Sequence, residues 1–179
     1  KLGDKVLVNK FEKHSGGGAT NSAVALRKLG LKVKVLSKLG QDYDAEFIEN
    51  ELKGYKIKNI CLHKSKHNTD AATIISSSLE KDRVIYVHKG ASLDLKVGDF
   101  KKSQLKAKWI YLASLMKQSW KTAVLIAKYS QENKINLLFN PSLYLARKGK
   151  NFLKPVLQAT DILVLNLQEA QALLNMKIK

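Results

Sequence analysis

Residues 109–113 (WIYLA), 136–139 (NLLF) and 162–165 (ILVL) are short runs, apolar along almost their whole length rather than alternating. Runs of this kind suit strands covered on both faces, as in a parallel sheet. The first is followed by Trp120, Ala123, Val124 and Ala127 at helical spacing, and the third by an apolar helix over 167–174. Strands alternating with helices predict a sheet covered by helices. Polar residues stand just after each run: Ser114, then Asn140 with Ser142, then Asn166 with Glu169. In open α/β sheets ligands bind at those carboxyl ends. Residues 32–37 alternate and read as a further strand, and the sequence predicts that 33–37 shares one sheet with the three apolar runs, the last three mutually parallel. Both tryptophans, Trp109 and Trp120, read as core packing.

Near the start, residues 15–30 read SGGGATNSAVALRKLG. Glycine admits backbone conformations closed to other residues and lets a ligand approach the main chain. The apolar residues Ala23, Val24, Ala25, Leu26 and Leu29 are dense enough to predict a mostly buried helix, ended by a left-handed Gly30. A glycine turn feeding a helix start aims unsatisfied N–H groups and a partial positive charge at whatever lies above it. Three glycines exceed the needs of a single tight turn, which favours binding over geometry alone.

Other elements follow from local signals. Residues 5–8 read as a strand continuing to Phe11. Asp42 is a helix N-cap, with Asp44 and Glu46 in the first turn, Ala45, Ile48 and Leu52 on the buried face, and Gly54 at the end. Residues 57–63 form a strand or loop. Residues 71–78 and 83–88 read as an antiparallel hairpin, which makes the sheet mixed. His63, His67 and His88 fit no metal-ligand spacing. Asn140-Pro141-Ser142 is either a strand-end site or a Pro-fixed turn. Asn166-Leu167-Gln168-Glu169 is either a capping box or a carboxylate placed for a ligand.

The 179 residues allow one domain with a sizeable core. The single cysteine, Cys61, excludes an internal disulfide and fits a cytoplasmic setting, and no apolar run approaches a membrane span. A net charge of +17 welcomes anions. The lysines are spread along the chain, however, and arginine is confined to Arg27, Arg83 and Arg147. Nucleic-acid readers concentrate their basic residues on one face.

The stretch SGGGATNSAVALRKLG, with the downstream LGQDYDAEFIENEL, resembles the N-terminal signature of ribokinase-like (PfkB-type) carbohydrate kinases. Their Gly-Gly-x-x-x-Asn stretch holds sugar hydroxyls, and Gly16, Gly17 and Asn21 match it. Gly18 stands where ribokinases proper carry lysine, so ribose is not implied. Lys89-Gly90-Ala91-Ser92 resembles the family's Gly-Ala-Asn turn, and Asn166 with Glu169 its Asn-x-x-Glu element, which organises water, Mg²⁺ and phosphate.

The resemblance implies a ribokinase-like α/β/α sandwich, with a largely parallel central sheet plus antiparallel edge or lid strands. It implies ATP-dependent phosphoryl transfer to a sugar or nucleoside hydroxyl. Gly16, Gly17, Gly18, Asn21 and Ser114 would bind substrate, Asn166 and Glu169 would serve the metal, and Asn140 the cofactor. ATP and Mg²⁺ are the implied cofactors. A small-molecule sugar or nucleoside is the implied partner, with a homodimer allowed and neither membrane nor nucleic acid expected. The family's early-strand aspartate has no counterpart here, Asp4 being part of a Gly-Asp turn. Its catalytic aspartate, in a late Gly-Ala-Gly-Asp motif, is also missing, since Gly98-Asp99 comes too early. Residues 1–179 are therefore expected to be one domain, the substrate-side portion of such a kinase, lacking the C-terminal nucleotide-binding portion and inactive alone. The rival expectation is a non-catalytic relative that binds anions or nucleic acid through its basic surface.

Overall fold

A computed structural model describes residues 3, 5, 7–61, 65–77 and 82–176. Asp4 and His63 lie outside the described residues. The elements run α1 (Gly18–Lys28), β1 (Lys34–Leu36), α2 (Tyr43–Gly54), β2 (Lys58–Cys61), β3 (Ala71–Ser77) and β4 (Asp82–His88). Short 3-10 turns then lead to β5 (Trp109–Leu112), α3 (Ser119–Glu132), β6 (Asn136–Phe139), α4 (Ser142–Ala146), α5 (Gly149–Leu157), β7 (Ile162–Leu163) and α6 (Leu167–Leu174).

The three apolar runs form one parallel sheet in the order β5-β6-β7. Its centre is β6, where Leu137 and Phe139 are fully buried. Ala123, Ile126 and Ala127 of α3, Leu145 and Ala146 of α4, Leu153 and Val156 of α5 and Leu173 of α6 complete the main core. The expectation of burial on both faces fails at β7. This edge strand has two residues, and Ile162, Leu163 and Val164 are each at least two-fifths exposed. Trp109 also departs from the expectation, being half exposed at the start of β5, whereas Trp120 stacks on Phe152 with centroids 4.9 Å apart.

The expected single sheet is corrected in two places. β1 pairs in parallel with β2, not with β5, and β3 pairs with β4 as a separate antiparallel hairpin. The reason at β1 is local. Only three residues are extended, and the Lys34 ammonium reaches the carbonyls of Gln104 and Lys106, so a side chain rather than a backbone ladder joins this unit to the segment before β5. Ala23, Val35, Leu52 and Ile57 make a small second core for the α1–β1–α2–β2 unit. The hairpin occurs as expected, but every described residue of both strands is exposed.

The expected strand at 5–8 is absent at its described positions: 5, 7 and 8 lack regular structure, and Leu7 and Phe11 are almost fully exposed. Nor is α1 mostly buried. Ala23 alone is buried among its described residues, because one face meets the small core while Ala25, Leu26 and Leu29 face outward. Asp42 caps α2 as the sequence indicates, accepting from the Ala45 N–H at 2.9 Å. Gly54 is the last residue of that helix, as expected, and the left-handed residue beyond its end is Lys56.

Candidate active site

α1 begins without a side-chain cap. Gly17 occupies the cap position at φ 89, a conformation that glycine alone adopts readily. The first backbone bond into the helix is Asn21 N–H to the Gly17 carbonyl, 3.0 Å. The N–H groups ahead of it belong to the unsatisfied set that every helix start presents, with its partial positive charge.

This helix start is held against the end of β5. A Cβ built at Gly18 would lie 2.9 Å from Tyr111 Oη and 3.8 Å from Ala113 Cβ. Next along the chain, the Ser114 hydroxyl donates to the Pro141 carbonyl, and Ser142 Oγ lies 2.6 Å from Ser114 Oγ. Ser142 itself is left-handed, φ 54, in a conformation uncommon for a residue with a side chain and a known mark of functional sites. Asn140 then ties the strand ends together. Its N–H donates to the Leu112 carbonyl at 3.0 Å, and its side-chain amide to the Val164 carbonyl at 2.7 Å. Gly18, Ser114, Asn140 and Ser142 thus follow one another along the carboxyl ends of β5, β6 and β7.

Asn166 and Glu169 stand just past β7 and make a complete capping box. The Glu169 N–H donates to Asn166 Oδ1 at 2.8 Å, and the Asn166 N–H to Glu169 Oε2 at 3.0 Å. Glu169 is a buried carboxylate, 8% exposed, at the positive end of α6. Among the described residues no group of three or more His, Cys, Asp or Glu is arranged to hold a metal ion. Mg²⁺ needs no such cage, because it keeps several waters and uses one or two carboxylates besides substrate phosphates. The Glu169 carboxylate fits that limited demand.

Asn21 is placed differently from the other residues. It is exposed, one turn into α1, and lines a shallow groove of about 320 Å³ with Ser15, Lys28 and Glu51. Gly16 is exposed too, and a Cβ there would meet nothing within 4 Å. The sequence pattern alone misses Tyr111, whose hydroxyl fills the space beside Gly18: nothing in a strand pattern shows which distant glycine its side chain reaches.

The turn at 89–92 is built on Asp70, which accepts from the Gly90 and Ser92 N–H groups, from the Ser92 hydroxyl at 2.6 Å and from the Lys89 ammonium at 3.0 Å. Burial pushes the Asp70 pKa up, but the Ser92 hydroxyl, these N–H groups and Lys89 outweigh it and hold the carboxyl below its usual range.

A family profile described as "pfkB family carbohydrate kinase" matches residues 2–179. The ribokinase of Bacillus subtilis (strain 168) is 34% identical over 95 residues, 53% of this chain and 32% of that protein. Among solved structures, ribokinase from Giardia lamblia superposes with a TM-score of 0.81 at 22% identity, over 98% of this chain and 55% of that one. Adenosine kinase from Sinorhizobium meliloti gives 0.79 at 19% identity, over 89% and 51%. The matched segments span between 26% and 41% of the curated relatives' lengths. Structural likeness at this identity shows a shared fold.

Proposed function

We propose, for a chain that belongs to the pfkB family of carbohydrate kinases and has its ribokinase-like α/β fold, that the complete protein transfers the terminal phosphoryl group of ATP to a hydroxyl of a sugar or nucleoside. The observation that carries this reading is the row of polar groups along the carboxyl ends of β5-β6-β7, with the uncapped start of α1 at one end and Glu169 at the other. Open α/β sheets bind ligands at such ends.

In this reading the backbone at Gly16, Gly17 and Gly18, the Asn21 amide and Ser114 hold substrate hydroxyls. Asn140 faces the nucleotide side. Asn166 and Glu169 orient the waters of Mg²⁺, which supplies charge neutralisation on the phosphates when bound. Positioning and charge stabilisation account for most of the catalysis in phosphoryl transfer. The general base is not among these residues, and residues 1–179 alone are inactive in this proposal.

The test is to express the complete protein and measure ATP consumption over a panel of sugars and nucleosides with Mg²⁺. Substrate-dependent turnover that falls in Asn21→Ala, with the fold retained by circular dichroism, supports the reading; turnover absent with every substrate overturns it, and Asn21→Ala active at the parent level removes Asn21 from the substrate site. The net charge of +17 favours a second reading, an anion- or nucleic-acid-binding protein. Its signature is affinity for duplex DNA that falls steeply with salt.

A further inference from the structure

Among the described residues none bonds the hydroxyl of Tyr111. The residue sits inside β5, between Ile110 and Leu112. Leu112 belongs to the main core and Ile110 packs on it. Successive strand residues point to opposite faces, so Tyr111 and Ala113 project from the other face, where both approach Gly18 at the start of α1. Across the sheet Tyr111 stands beside Leu138 of β6, and Leu138 beside Ile162 of β7. These neighbours are apolar, so packing on this face calls for a ring and not for a hydroxyl.

The phenol meets α1 hydroxyl first. A Cβ at Gly18 would stand 2.9 Å from Tyr111 Oη and 3.8 Å from Tyr111 Cζ. The lack of a side chain at 18 is what admits the hydroxyl to the helix start. Among the described residues, no side-chain polar atom that is sealed from solvent lacks a partner. The Tyr111 hydroxyl has none, and it therefore opens to solvent although the residue as a whole is partly buried. A sheltered tyrosine hydroxyl ordinarily finds a partner, and an unpaired one beside a helix start points to a partner outside the chain.

The chemistry of that helix start is one-sided. Its free N–H groups donate and accept nothing. A substrate hydroxyl that accepts from them still has its own proton to place. A phenol oxygen takes that proton, and its O–H remains able to donate in turn. Ser114 and Asn140 are not equivalent to it. The Ser114 hydroxyl already donates to the Pro141 carbonyl, and the Asn140 side-chain amide to the Val164 carbonyl.

We propose that Tyr111 is a specificity residue: its hydroxyl bonds the same acceptor hydroxyl that the α1 start binds, and so selects acceptors that carry a hydroxyl at that ring position over those that lack it. This rests on the kinase reading and names the feature of the acceptor that the site reads. A site built to bond a hydroxyl rejects the analogue without it, because the polar group of the site is then left unpaired.

The experiment uses the complete protein and Tyr111→Phe, which removes one oxygen and keeps the ring. KM and kcat are measured for the best acceptor of a sugar and nucleoside panel and for each of its monodeoxy analogues, and denaturant midpoints are measured for both proteins. The expected result is an unchanged midpoint and a KM for the best acceptor raised about fivefold to tenfold, the scale of one hydrogen bond. One monodeoxy analogue, poor for the parent, should serve both proteins equally. Analogues altered elsewhere on the ring should lose as much as the best acceptor does. A structural role would instead raise KM for every analogue alike. That uniform pattern, an unchanged KM for the best acceptor, or a lowered midpoint overturns the proposal and leaves the kinase reading intact. If the parent phosphorylates no acceptor, the kinase reading fails, and the assignment of Tyr111 to an acceptor fails with it.

Discussion

Gly16, Gly17 and Gly18 are adjacent in sequence but answer to different constraints. Gly17 needs its left-handed backbone, and Gly18 is pressed on Tyr111. Gly16 has open space in its Cβ direction and no left-handed φ, so the fold itself places no demand for glycine there. Gly17→Ala is expected to destabilise the protein by about 1 kcal/mol or more. Gly16→Ala should leave the denaturation midpoint unchanged and weaken substrate binding; full affinity in that variant would remove Gly16 from the site. At Glu169 the two readings made from the sequence meet in one residue. Its capping box was legible because both members lie within one helical turn, whereas the Tyr111–Gly18 contact was not, since it joins residues far apart in the chain. Glu169→Gln is expected to lower stability by about 1 kcal/mol or less, while raising the Mg²⁺ concentration needed for half-maximal turnover in the complete enzyme. Unchanged Mg²⁺ dependence would leave Glu169 as a cap alone.

At the scale of elements, the parallel β5-β6-β7 unit and the β3–β4 hairpin were legible because apolar continuity and alternation are local properties. Which strands pair between units is not local. β1 has the alternating pattern of a sheet member, yet its ladder goes to β2. α1 is less buried than its apolar density predicts for a related reason: apolar density reports what a helix is able to cover, not what packs against it. Asp42 shows what local reading leaves out. The cap of α2 also accepts from the Thr69 N–H at 2.6 Å and the Thr69 hydroxyl at 2.7 Å, and so fastens the helix start to the loop before β3. Burial pushes the Asp42 pKa up, but the Thr69 and Ala45 bonds outweigh it and hold the carboxyl low. The Ser65 hydroxyl holds Asp94 low as well, against its burial. A carboxyl with a depressed folded-state pKa is deprotonated in the native protein where the unfolded chain already takes up a proton. The stabilisation is therefore complete above the ordinary carboxylate value, about 3.9, and is lost as pH falls through the lower folded values. Denaturant midpoints should drop on acidification from about pH 5 to about pH 3, and Asp42→Asn should both lower the midpoint at neutral pH and flatten that drop. An unaltered acid slope in the variant would mean that the charge of Asp42 contributes nothing to the joint.

For the whole molecule, the decisive question is whether residues 1–179 carry a complete catalytic set. A general base must reach the hydroxyl it deprotonates within about 3 Å or through one water. Along the strand ends, the described carboxylate is Glu169, already bonded to the Asn166 N–H and assigned to the metal side. Asp70 is held by Ser92 and Lys89, Asp94 by Ser65, and Asp99 by Lys38 at 2.8 Å. Each of these acids closes a turn or a loop, and moving one to a substrate would open that joint. The glycine-lined anion hole that the family resemblance attaches to its catalytic aspartate has no counterpart in this sequence, and such donors supply a large share of the charge stabilisation in the transition state. Residues 1–179 expressed alone should therefore fold, bind sugar weakly through the α1 start, and show no substrate-dependent ATP consumption. The same assay on the complete protein should show turnover. Robust turnover by residues 1–179 alone would place the base among the residues described here and overturn their assignment to substrate and metal; silence relieved by the remainder of the protein would establish that the catalytic aspartate lies outside them.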